Sequence, residues 1–481
     1  MTTTAPTIPT TVSDADRRRI IIGVLICMLL AALDQTIVAP VIPILGATLG
    51  GSSYISWIVS AYFLAATATT PLYGKIADIY GRRPTLLAAV AIFVTGSVLC
   101  ALAPNMGTLI AGRTVQGLGG GGLMALSTTV IGDLMPPKER GKIAGYIAIM
   151  WGTASIGGPI LGGVIAEHAH WSWIFWLNLP LAAVAVAAVN ASLKRLPWQR
   201  RKHALDILGA GLVIVATVCV LLALALGPQS AFGWRSPTVL ALMAAGVLLI
   251  PVIARHMRQA PEPLIPLAVL SNEVVRFAVS SLFFVSASGI AMAVFVPMFL
   301  ELAHGRTAEQ AGIALVGYMM GTVLSANVAG QMTARVTNYK SLPVLGLAVA
   351  AVALAWIAWR APTIGLWEFE CVLIIVGAGA GLQYPVTTIA VQNAVDQRDL
   401  GVASGLLAFS RALGSSIGVA AVGAVGAASG IAINDASSAS GLVAAVSPGT
   451  FTPVFAAAAV AVAISWVMLW RMPMLALKGK A

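Results

Sequence analysis

Two residues of opposite charge interrupt long apolar stretches of the sequence and are the first candidates for chemistry. Asp34 lies 15 residues after Arg19 and ten before Ile44, which is about 22 Å and about 15 Å along a helix. Arg113 lies seven residues into another apolar stretch, about 10 Å from its end. An ionised Asp in the middle of a bilayer costs at least about 2.5–3.5 kcal/mol, so an intramembrane carboxylate is a candidate functional group by default.

The comparable depths of Asp34 and Arg113 would allow the two side chains to pair, and such a pair can carry protons. Burial favours the protonated acid, whereas an approaching guanidinium favours the carboxylate. If Arg113 approaches in one conformation and withdraws in another, Asp34 releases and binds a proton. We therefore interpret the pair as a proton-coupling site. The alternative is a static ion pair with a structural role.

The elements that must hold these charges are membrane-spanning helices. The chain is 59% hydrophobic and only 9% charged, which is too apolar for a water-soluble globule. Apolar runs close to the roughly 20 residues that cross a bilayer recur fourteen times. The sequence therefore predicts an all-α membrane protein with fourteen transmembrane helices, surrounded by the lipid bilayer.

The formal net charge of +11 indicates the orientation of the chain in the membrane, and no nucleic-acid partner is predicted. Of the 28 Lys and Arg residues, 23 lie on the side that carries both termini, whereas Arg235, Arg306 and Arg360 lie on the other. Because cytoplasmic loops are enriched in Lys and Arg, we predict a multi-pass protein of the cell membrane with cytoplasmic N- and C-termini. The cysteines have no paired spacing, so we predict neither a metal site nor a cofactor, apart from protons as the coupling ion.

An internal repeat relates two parts of the chain. Shifting the sequence by 260 residues matches seven of the eight glycines between 377 and 423. The first copies are Gly117, Gly119, Gly121, Gly141, Gly145, Gly158 and Gly163, and their mates are Gly377, Gly379, Gly381, Gly401, Gly405, Gly418 and Gly423. The matched spans are eight apart and run in the same direction, which is typical of parallel repeats in transporters.

The repeat predicts the domain organisation. Two parallel six-helix halves with two inserted helices account for fourteen spans. The predicted segments are a disordered cytoplasmic tail (1–19), an N-terminal six-helix half (20–193), two inserted helices and linkers (194–273), a C-terminal six-helix half (274–471) and a cytoplasmic tail (472–481). Duplicated halves around a central axis suit alternating access, so a transporter is favoured over a receptor or a membrane enzyme.

The segment after the second span combines turn residues with charges. It reads Gly74-Lys75-Ile76-Ala77-Asp78-Ile79-Tyr80-Gly81-Arg82-Arg83-Pro84. Glycines permit a tight turn, and an acid among arginines can change partners between two arrangements of the helix ends. We predict a cytoplasmic gate formed by Gly74, Asp78, Gly81, Arg82 and Arg83. The alternative is a loop that only determines topology.

The fifth span carries a nearly side-chain-free stripe. Its members are Gly152, Gly157, Gly158, Pro159, Gly162 and Gly163. A neighbouring helix can approach closely and slide along such a stripe, and the proline breaks the hydrogen-bond ladder locally. We predict the seam on which the halves rock, which is compatible with simple tight packing. The run Gly119-Gly120-Gly121-Gly122 lacks a following Lys-Ser/Thr, so we exclude nucleotide binding.

The loop from Gly74 to Pro84 resembles the cytoplasmic loop signature of the major facilitator superfamily. Three more segments resemble that superfamily in the expected order: Arg113 with Gln116-Gly117, Gly152 through Gly157-Gly158-Pro159 to Gly162-Gly163, and Leu33-Asp34-Gln35-Thr36-Ile37-Val38 with Pro43. The last two are similar to segments of drug:proton antiporters, and the fourteen spans indicate their fourteen-span branch. Ala39 stands where that branch commonly has Asn and Ser172 where it commonly has Arg, which leaves the substrate open.

A central cavity would be lined by polar and aromatic side chains on the spans nearest the axis. The candidates are Trp57, Tyr62, Gln116, Trp151, Gln383, Tyr384 and Arg411. Trp151 and Arg411 are mates in the repeat, so we expect them to face the cavity from opposite halves. Arg411 has no obvious acid partner in its own half. It could neutralise Asp34, line the cavity or bond backbone carbonyls, and the sequence does not rank these roles.

The motifs and the resemblance together imply a proton-coupled antiporter of the multidrug efflux, drug-resistance type, which is not an enzyme. It would export small lipophilic compounds, cationic or neutral, by alternating access. One alternative is a narrow-range transporter of an anionic metabolite, and another is a lipid translocase or membrane sensor without proton coupling. The expected partners are the small-molecule substrate and the bilayer, and no obligatory protein partner is predicted.

Overall fold

A computed structural model gives the architecture of the chain. It describes residues 14–38, 41–49, 55–135, 137–193, 206–227, 233–261, 263, 266–306, 308–335, 338–396, 399–431 and 447–476. The regular elements within these residues are all helical. They are α1 (Asp14–Ile37), α2 (Ile42–Leu49), α3 (Ile55–Tyr80), α4 (Arg82–Ala101), α5 (Met106–Leu134), α6 (Pro137–His168), α7 (Trp173–Trp176), α8 (Asn178–Leu193), α9 (Ile207–Leu226), α10 (Pro237–Gln259), α11 (Leu267–Ser271), α12 (Glu273–His304), α13 (Ala308–Arg335), α14 (Ser341–Arg360), α15 (Leu366–Gly381), α16 (Gln383–Ala394), α17 (Leu400–Ala428), a 3-10 helix (Pro448–Phe451) and α18 (Thr452–Arg471).

Twelve helical segments in the described residues are long and apolar enough to cross a membrane, with α15 and α16 forming one of them. Two more long helices, α3 with 26 residues and α5 with 29, are not among the twelve. Lys75 and Asp78 in α3, and Arg113 with Gln116 in α5, make these helices more polar. The structure therefore gives twelve candidate spans where the sequence predicted fourteen.

The chain termini differ in part from the predicted tails. α1 begins at Asp14, inside the segment 1–19 that we expected to be disordered. Asp16 lies in its first turn, where the helix dipole stabilises negative charge. Residues 1–13 of the first tail and 477–481 of the second lie outside the described residues.

Caps fix the ends of helices that carry functional candidates. Asn105 and Asn272 accept hydrogen bonds of 2.9 and 3.0 Å from backbone N–H groups in the first turns of α5 and α12, as good N-caps do. Gly305 ends α12 with a φ of 63°, a left-handed conformation that glycine adopts without strain. The start of α5 thus sets the depth of Arg113 on that helix.

The helices form two groups, which we call the N-terminal group (α1–α8) and the C-terminal group (α12–α18). α5 packs on α3 and α4 in the first, and α15 packs on α13 and α14 in the second. The groups meet mainly where α6 packs against α13, and where α17 packs against α3 and α5. α17 therefore lies at the face of the C-terminal group that contacts the N-terminal group.

Matched glycines of the repeat make matched helix contacts. A Cβ at Gly117 of α5 would meet the Tyr62 carbonyl oxygen of α3, and a Cβ at its mate Gly377 of α15 would meet the Tyr318 carbonyl oxygen of α13. Helices can approach this closely only where the side chain is absent. The 260-residue offset is thus a repeat of packing as well as of sequence.

The inserted helices α9 and α10 lie against both groups. They pack on each other, and α9 also packs on α3 and α17. His256 near the end of α10 lies 2.8 Å from an Asp206 carboxylate oxygen at the start of α9. The apolar side chains of α10, including Leu248 and Ile250, are largely exposed, which suits contact with lipid.

Candidate functional site

Asp34 and Arg113 form a buried ion pair. Asp34 on α1 is 0% exposed and Arg113 on α5 is 1% exposed. Arg113 Nη1 donates to Asp34 Oδ2 at 2.6 Å, and Arg113 Nε donates to the Ile58 carbonyl oxygen of α3 at 3.0 Å. Three helices are therefore joined at one guanidinium, and the pairing offsets the cost of burying either charge.

Neutral amides complete the surroundings of Asp34. Gln116, one turn after Arg113, donates from Nε2 to Asp34 Oδ1 at 2.7 Å and accepts from Arg113 Nη1 at 2.6 Å. Asn178 at the start of α8 also donates to Asp34 Oδ1, at 3.0 Å. Both amides reach Ser97 Oγ on α4, at 2.7 and 2.9 Å. Both carboxylate oxygens thus accept hydrogen bonds, as an ionised Asp does.

Tyr62 encloses Arg113 from the side of α3. The Arg113 guanidinium carbon lies 4.4 Å from the centroid of the Tyr62 ring, within the range of cation–π attraction. Tyr62 and Gln116 have no exposed surface, although we expected both to line the cavity. In this conformation Gln116 instead faces Asp34 of α1 and Ser97 of α4, and the Tyr62 ring faces Arg113 of α5.

The ion pair can exchange a proton only if the protein moves. Asp34 has no surface exposed to solvent, so a proton needs a new route to it and a rearrangement of Arg113 and the amides. Among the described residues, no three His, Cys, Asp or Glu side chains are placed to hold a metal ion.

A second charge network lies where α3 ends and α4 begins. Arg82 Nη1 lies 2.6 Å from Asp78 Oδ1, and Arg82 Nε donates to Asp133 Oδ2 of α5 at 2.7 Å. Gly81 makes the turn between the helices with a φ of 103°, which favours glycine. This network, with Asp78, Arg82 and Asp133 at its centre, marks what we call the Asp78 end of the bundle.

Arg83 follows Arg82 in sequence but has a different environment. It donates two hydrogen bonds, of 3.0 and 2.7 Å, to Asn190 Oδ1 of α8. Arg83 therefore joins α4 to α8 within the N-terminal group.

Asp78 faces the C-terminal group across two glycines. A Cβ at Gly401, in the first turn of α17, would lie 2.7 and 2.8 Å from the two Asp78 carboxylate oxygens. A Cβ at Gly74 would lie 2.6 Å from the Gly401 carbonyl oxygen. The Asp78 carboxylate thus lies at the N-terminus of α17, where the helix dipole stabilises negative charge. At the same end, Gln392 Nε2 donates to the Thr128 carbonyl oxygen at 3.5 Å.

The predicted glycine stripe begins at the interface between the groups. A Cβ at Gly152 of α6 would lie 3.1 Å from a Val323 methyl of α13. A Cβ at Gly158, two turns further on, would meet the Thr36 side chain of α1. One glycine therefore serves contact between the groups and the other serves packing inside the N-terminal group.

The last part of the stripe borders open space. A Cβ at Gly157 or Gly163 would have no neighbour within 4 Å. Gly162 is buried, and the side chain of Pro159 lies outside the described residues. In this conformation α6 thus touches the C-terminal group nearer the Asp78 end, and a side chain at Gly157 or Gly163 would meet no neighbour.

Two of the predicted cavity residues lie elsewhere. Trp57 packs against Leu226 and Val239 of the inserted helices. Gln383 is fully buried, donates to Ser281 Oγ at 2.7 Å and accepts from Ser465 Oγ at 3.1 Å. The sequence indicates which helices lie near the axis but not how each helix is rotated about its own axis. Both residues therefore lie on a face other than the one we expected.

The other three cavity candidates retain exposed surface. Trp151 lies half-buried against Met28 and Ala154 of the N-terminal group, and its indole N–H has no hydrogen-bond partner among the described residues. Tyr384 and Arg411 are also half-buried, and the Arg411 guanidinium carbon lies 5.4 Å from the Tyr384 ring centroid.

Comparisons with known proteins identify the family. A model of the Major Facilitator Superfamily matches residues 24–419. The chain belongs to the major facilitator superfamily. It is 30% identical over 416 residues to "Multidrug resistance protein 3" of Bacillus subtilis, with 86% of this chain and 81% of the relative covered. It is 32% identical over 409 residues to "Multidrug transporter protein MdtP" of the same organism, with 85% and 75% covered.

The fold of solved superfamily structures agrees with this assignment. The chain matches the crystal structure of a bacterial homologue of the iron transporter ferroportin in its outward-facing state. The TM-score is 0.67 at 12% identity, and the match covers 95% of this chain and 99% of the other. As a superfamily member the chain is an integral multi-pass membrane transporter of small molecules and not an enzyme, which confirms those predictions.

Several members of the Asp34 cluster and of the Asp78 network were missed in the sequence. Asn178 and Ser97 complete the surroundings of Asp34, and Asp133 completes the network of Arg82. Asn178 and Asp133 interrupt apolar runs, as Asp34 does, and that signal was available for both. Ser97 carries no such signal, because serine is an ordinary residue at interfaces of membrane helices.

Proposed function

We propose that the chain is a proton-coupled antiporter that exports small lipophilic compounds by alternating access. The observation that carries the proposal is the buried ion pair of Asp34 and Arg113. Asp34 is the one carboxylate with no exposed surface among the described residues. Because a charge inside a membrane is energetically expensive, it marks a candidate functional group. The similarity to relatives with multidrug resistance and multidrug transport in their names supports the choice of lipophilic compounds as substrates.

In this proposal, Asp34 carries the coupling proton. The ion pair of 2.6 Å represents the deprotonated state, in which Arg113 and the two amides satisfy the carboxylate. After substrate has left to the outside, Arg113 withdraws from Asp34 and the acid binds a proton from that side. When the cavity opens to the cytoplasm and binds substrate, the ion pair re-forms and releases the proton there, so substrate leaves the cell as protons enter.

The contacts between the helix groups support a conformation that is closed at the Asp78 end. Asp78 and Gly74 lie against α17 at that end, whereas Gly157 and Gly163 of α6 border open space further along the bundle. If the Asp78 end is cytoplasmic, as the distribution of Lys and Arg indicates, both termini are cytoplasmic and the conformation faces outward. The Asp78 network would then open when the cavity faces the cytoplasm.

We also propose that α3 and α5 cross the membrane, which gives fourteen spans. With 26 and 29 residues they measure about 39 Å and about 44 Å, longer than the roughly 30 Å hydrocarbon core. Both pack among helices that qualify as spans. Their polar side chains face the ion pair and the Asp78 network, which explains why hydropathy alone does not select them.

The test is pH-gradient-driven transport by proteoliposomes that contain the full chain. Wild-type protein should accumulate a lipophilic dye against its gradient when a pH difference is imposed. Asp34→Asn, which is nearly isosteric but carries no proton, should retain downhill exchange and lose uphill transport entirely. Asp34→Glu should retain partial activity with an altered pH profile, because the acid survives while its reach changes. Full uphill transport by Asp34→Asn would place the proton pathway elsewhere.

A further inference from the structure

One intramembrane charge is left unused by the ion pair and the Asp78 network. Arg411 lies 11 residues after the start of α17 at Leu400 and 17 before its end at Ala428, about 16 Å and about 26 Å along the helix. α17 packs against α3 and α5 of one group and against α12, α16 and α18 of the other. Arg411 is half-buried and its guanidinium faces the Tyr384 ring of α16, so the side chain lies within the bundle.

Arg411 has no anionic partner among the described residues. None of the ion pairs formed there includes it, and its buried Nε donates no hydrogen bond. Arg113, the other arginine within a long helix of the bundle, is by contrast neutralised by Asp34 at 2.6 Å. A charged side chain within a membrane protein pairs with another group or lines a ligand path. Because Arg411 has no anionic partner among the described residues, we favour a position on a ligand path.

Two phenols extend the site beside Arg411. The Tyr384 ring lies 5.4 Å from the Arg411 guanidinium carbon, which steadies the cation by a cation–π contact. A Cβ at Gly289 of α12 would lie 3.2 Å from Tyr318 Oη and 3.7 Å from Tyr384 Oη. The hydroxyls of Tyr318 and Tyr384 therefore converge beside a position that has no side chain.

We propose that Arg411, Tyr384 and Tyr318 form a subsite that binds an anionic acceptor group, such as a carboxylate, on the transported lipophilic compound. The guanidinium fork matches carboxylate geometry and phenol hydroxyls donate to the same kind of oxygen. The inference rests on the proposed export function and narrows its substrate class. Lipophilic acids and zwitterions are bound in preference to permanent cations, which the positive charge of Arg411 repels.

The test is binding of three probes that share one apolar body to the purified full chain in nanodiscs. Pyrenebutyrate is an anion, pyrenebutanol is neutral and pyrenebutyltrimethylammonium is a cation. Energy transfer from tryptophan to pyrene reports binding, with empty nanodiscs correcting for partition into lipid. Wild-type protein should bind pyrenebutyrate about tenfold or more tightly than pyrenebutanol, because hydrogen bonds to charged groups are strong. The cation should bind most weakly.

Substitution of Arg411 should remove the preference for the anion. Arg411→Gln should bind pyrenebutyrate and pyrenebutanol alike, within about twofold, while its affinity for the alcohol stays that of the wild-type protein. Arg276→Gln is the matched control, because Arg276 is an exposed residue at the start of α12. If Arg411→Gln does not fold, Arg411→Lys and Tyr384→Phe replace it, and each should lose part of the preference.

Equal binding of the anion and the alcohol by wild-type protein would overturn the proposal. So would an unchanged preference in Arg411→Gln, or in both Arg411→Lys and Tyr384→Phe. The binding assay uses no pH gradient, so its result does not depend on whether Asp34 couples protons. Uphill transport by Asp34→Asn together with Arg411-dependent anion binding would reject the coupling proposal and leave the subsite standing.

Discussion

The N-terminal and C-terminal helix groups share a packing repeat but tie their helices with different chemistry. In the N-terminal group, Asp34 of α1 binds Arg113 of α5 and Asn178 of α8. In the C-terminal group, Ser281 of α12 binds Gln383 of α16, and Ser465 of α18 binds both. The first, fourth and sixth long helices are joined in each group, once by an ion pair and once by neutral side chains alone.

The two clusters also differ in depth. Asp34 lies 20 residues after the start of α1 at Asp14, whereas Ser281 lies eight after the start of α12 at Glu273, about 30 Å against about 12 Å along the helix. Neutral hydrogen bonds hold helices together at any pH, whereas a buried ion pair responds to protonation. Both groups thus share the same helix packing, but only the cluster of the N-terminal group contains a titratable ion pair.

The largest expected effect follows removal of the cation from the N-terminal cluster. Arg113→Ala leaves the Asp34 carboxylate buried without its partner, which costs about 3–5 kcal/mol. Thermal unfolding of the purified protein measures the loss. An unfolding temperature equal to that of wild-type protein would show that the pair contributes nothing.

A smaller effect is expected at the Asp78 end, where the two groups meet. Asp78→Asn removes the charge shared by Arg82 and the N-terminus of α17, so uphill transport should fall several-fold as the closed state loses about 1–3 kcal/mol. Expression and membrane insertion should stay near normal. Glu273→Gln, an exposed acid at the start of α12, serves as the control. Unchanged efflux by Asp78→Asn would reduce this network to a determinant of topology.

The smallest effect is expected in the neutral cluster of the C-terminal group. Gln383→Leu removes one amide but leaves Ser281 and Ser465 bonded to each other and to backbone carbonyls. The loss should be about 1 kcal/mol and independent of pH, with uphill transport retained. Thermal unfolding and transport of the same preparation measure both. A pH-dependent loss, or loss of proton coupling, would mean that the C-terminal group also carries titratable chemistry.

The sequence predicted the centre of the site but not its surroundings. The similar depths of Asp34 and Arg113 in two apolar runs predicted that they pair, and the glycine spacing predicted close helix contacts. The sequence did not fix the rotation of a helix about its axis, so Trp57 was assigned to the cavity although it packs on the inserted helices. Hydrogen-bond partners such as Ser97 depend on three-dimensional contact between helices distant in sequence, which composition does not encode.

The central claim is that Asp34 is the group that releases a proton when the antiporter turns over. Its most direct test uses purified protein in a weakly buffered solution. A compound that wild-type vesicles export is added, and the pH change of the solution is measured. Wild-type protein should release protons as substrate binds, and Asp34→Asn, with substrate binding measured in the same preparation, should release none. Equal proton release by Asp34→Asn would contradict the account, because the proton would then come from another group.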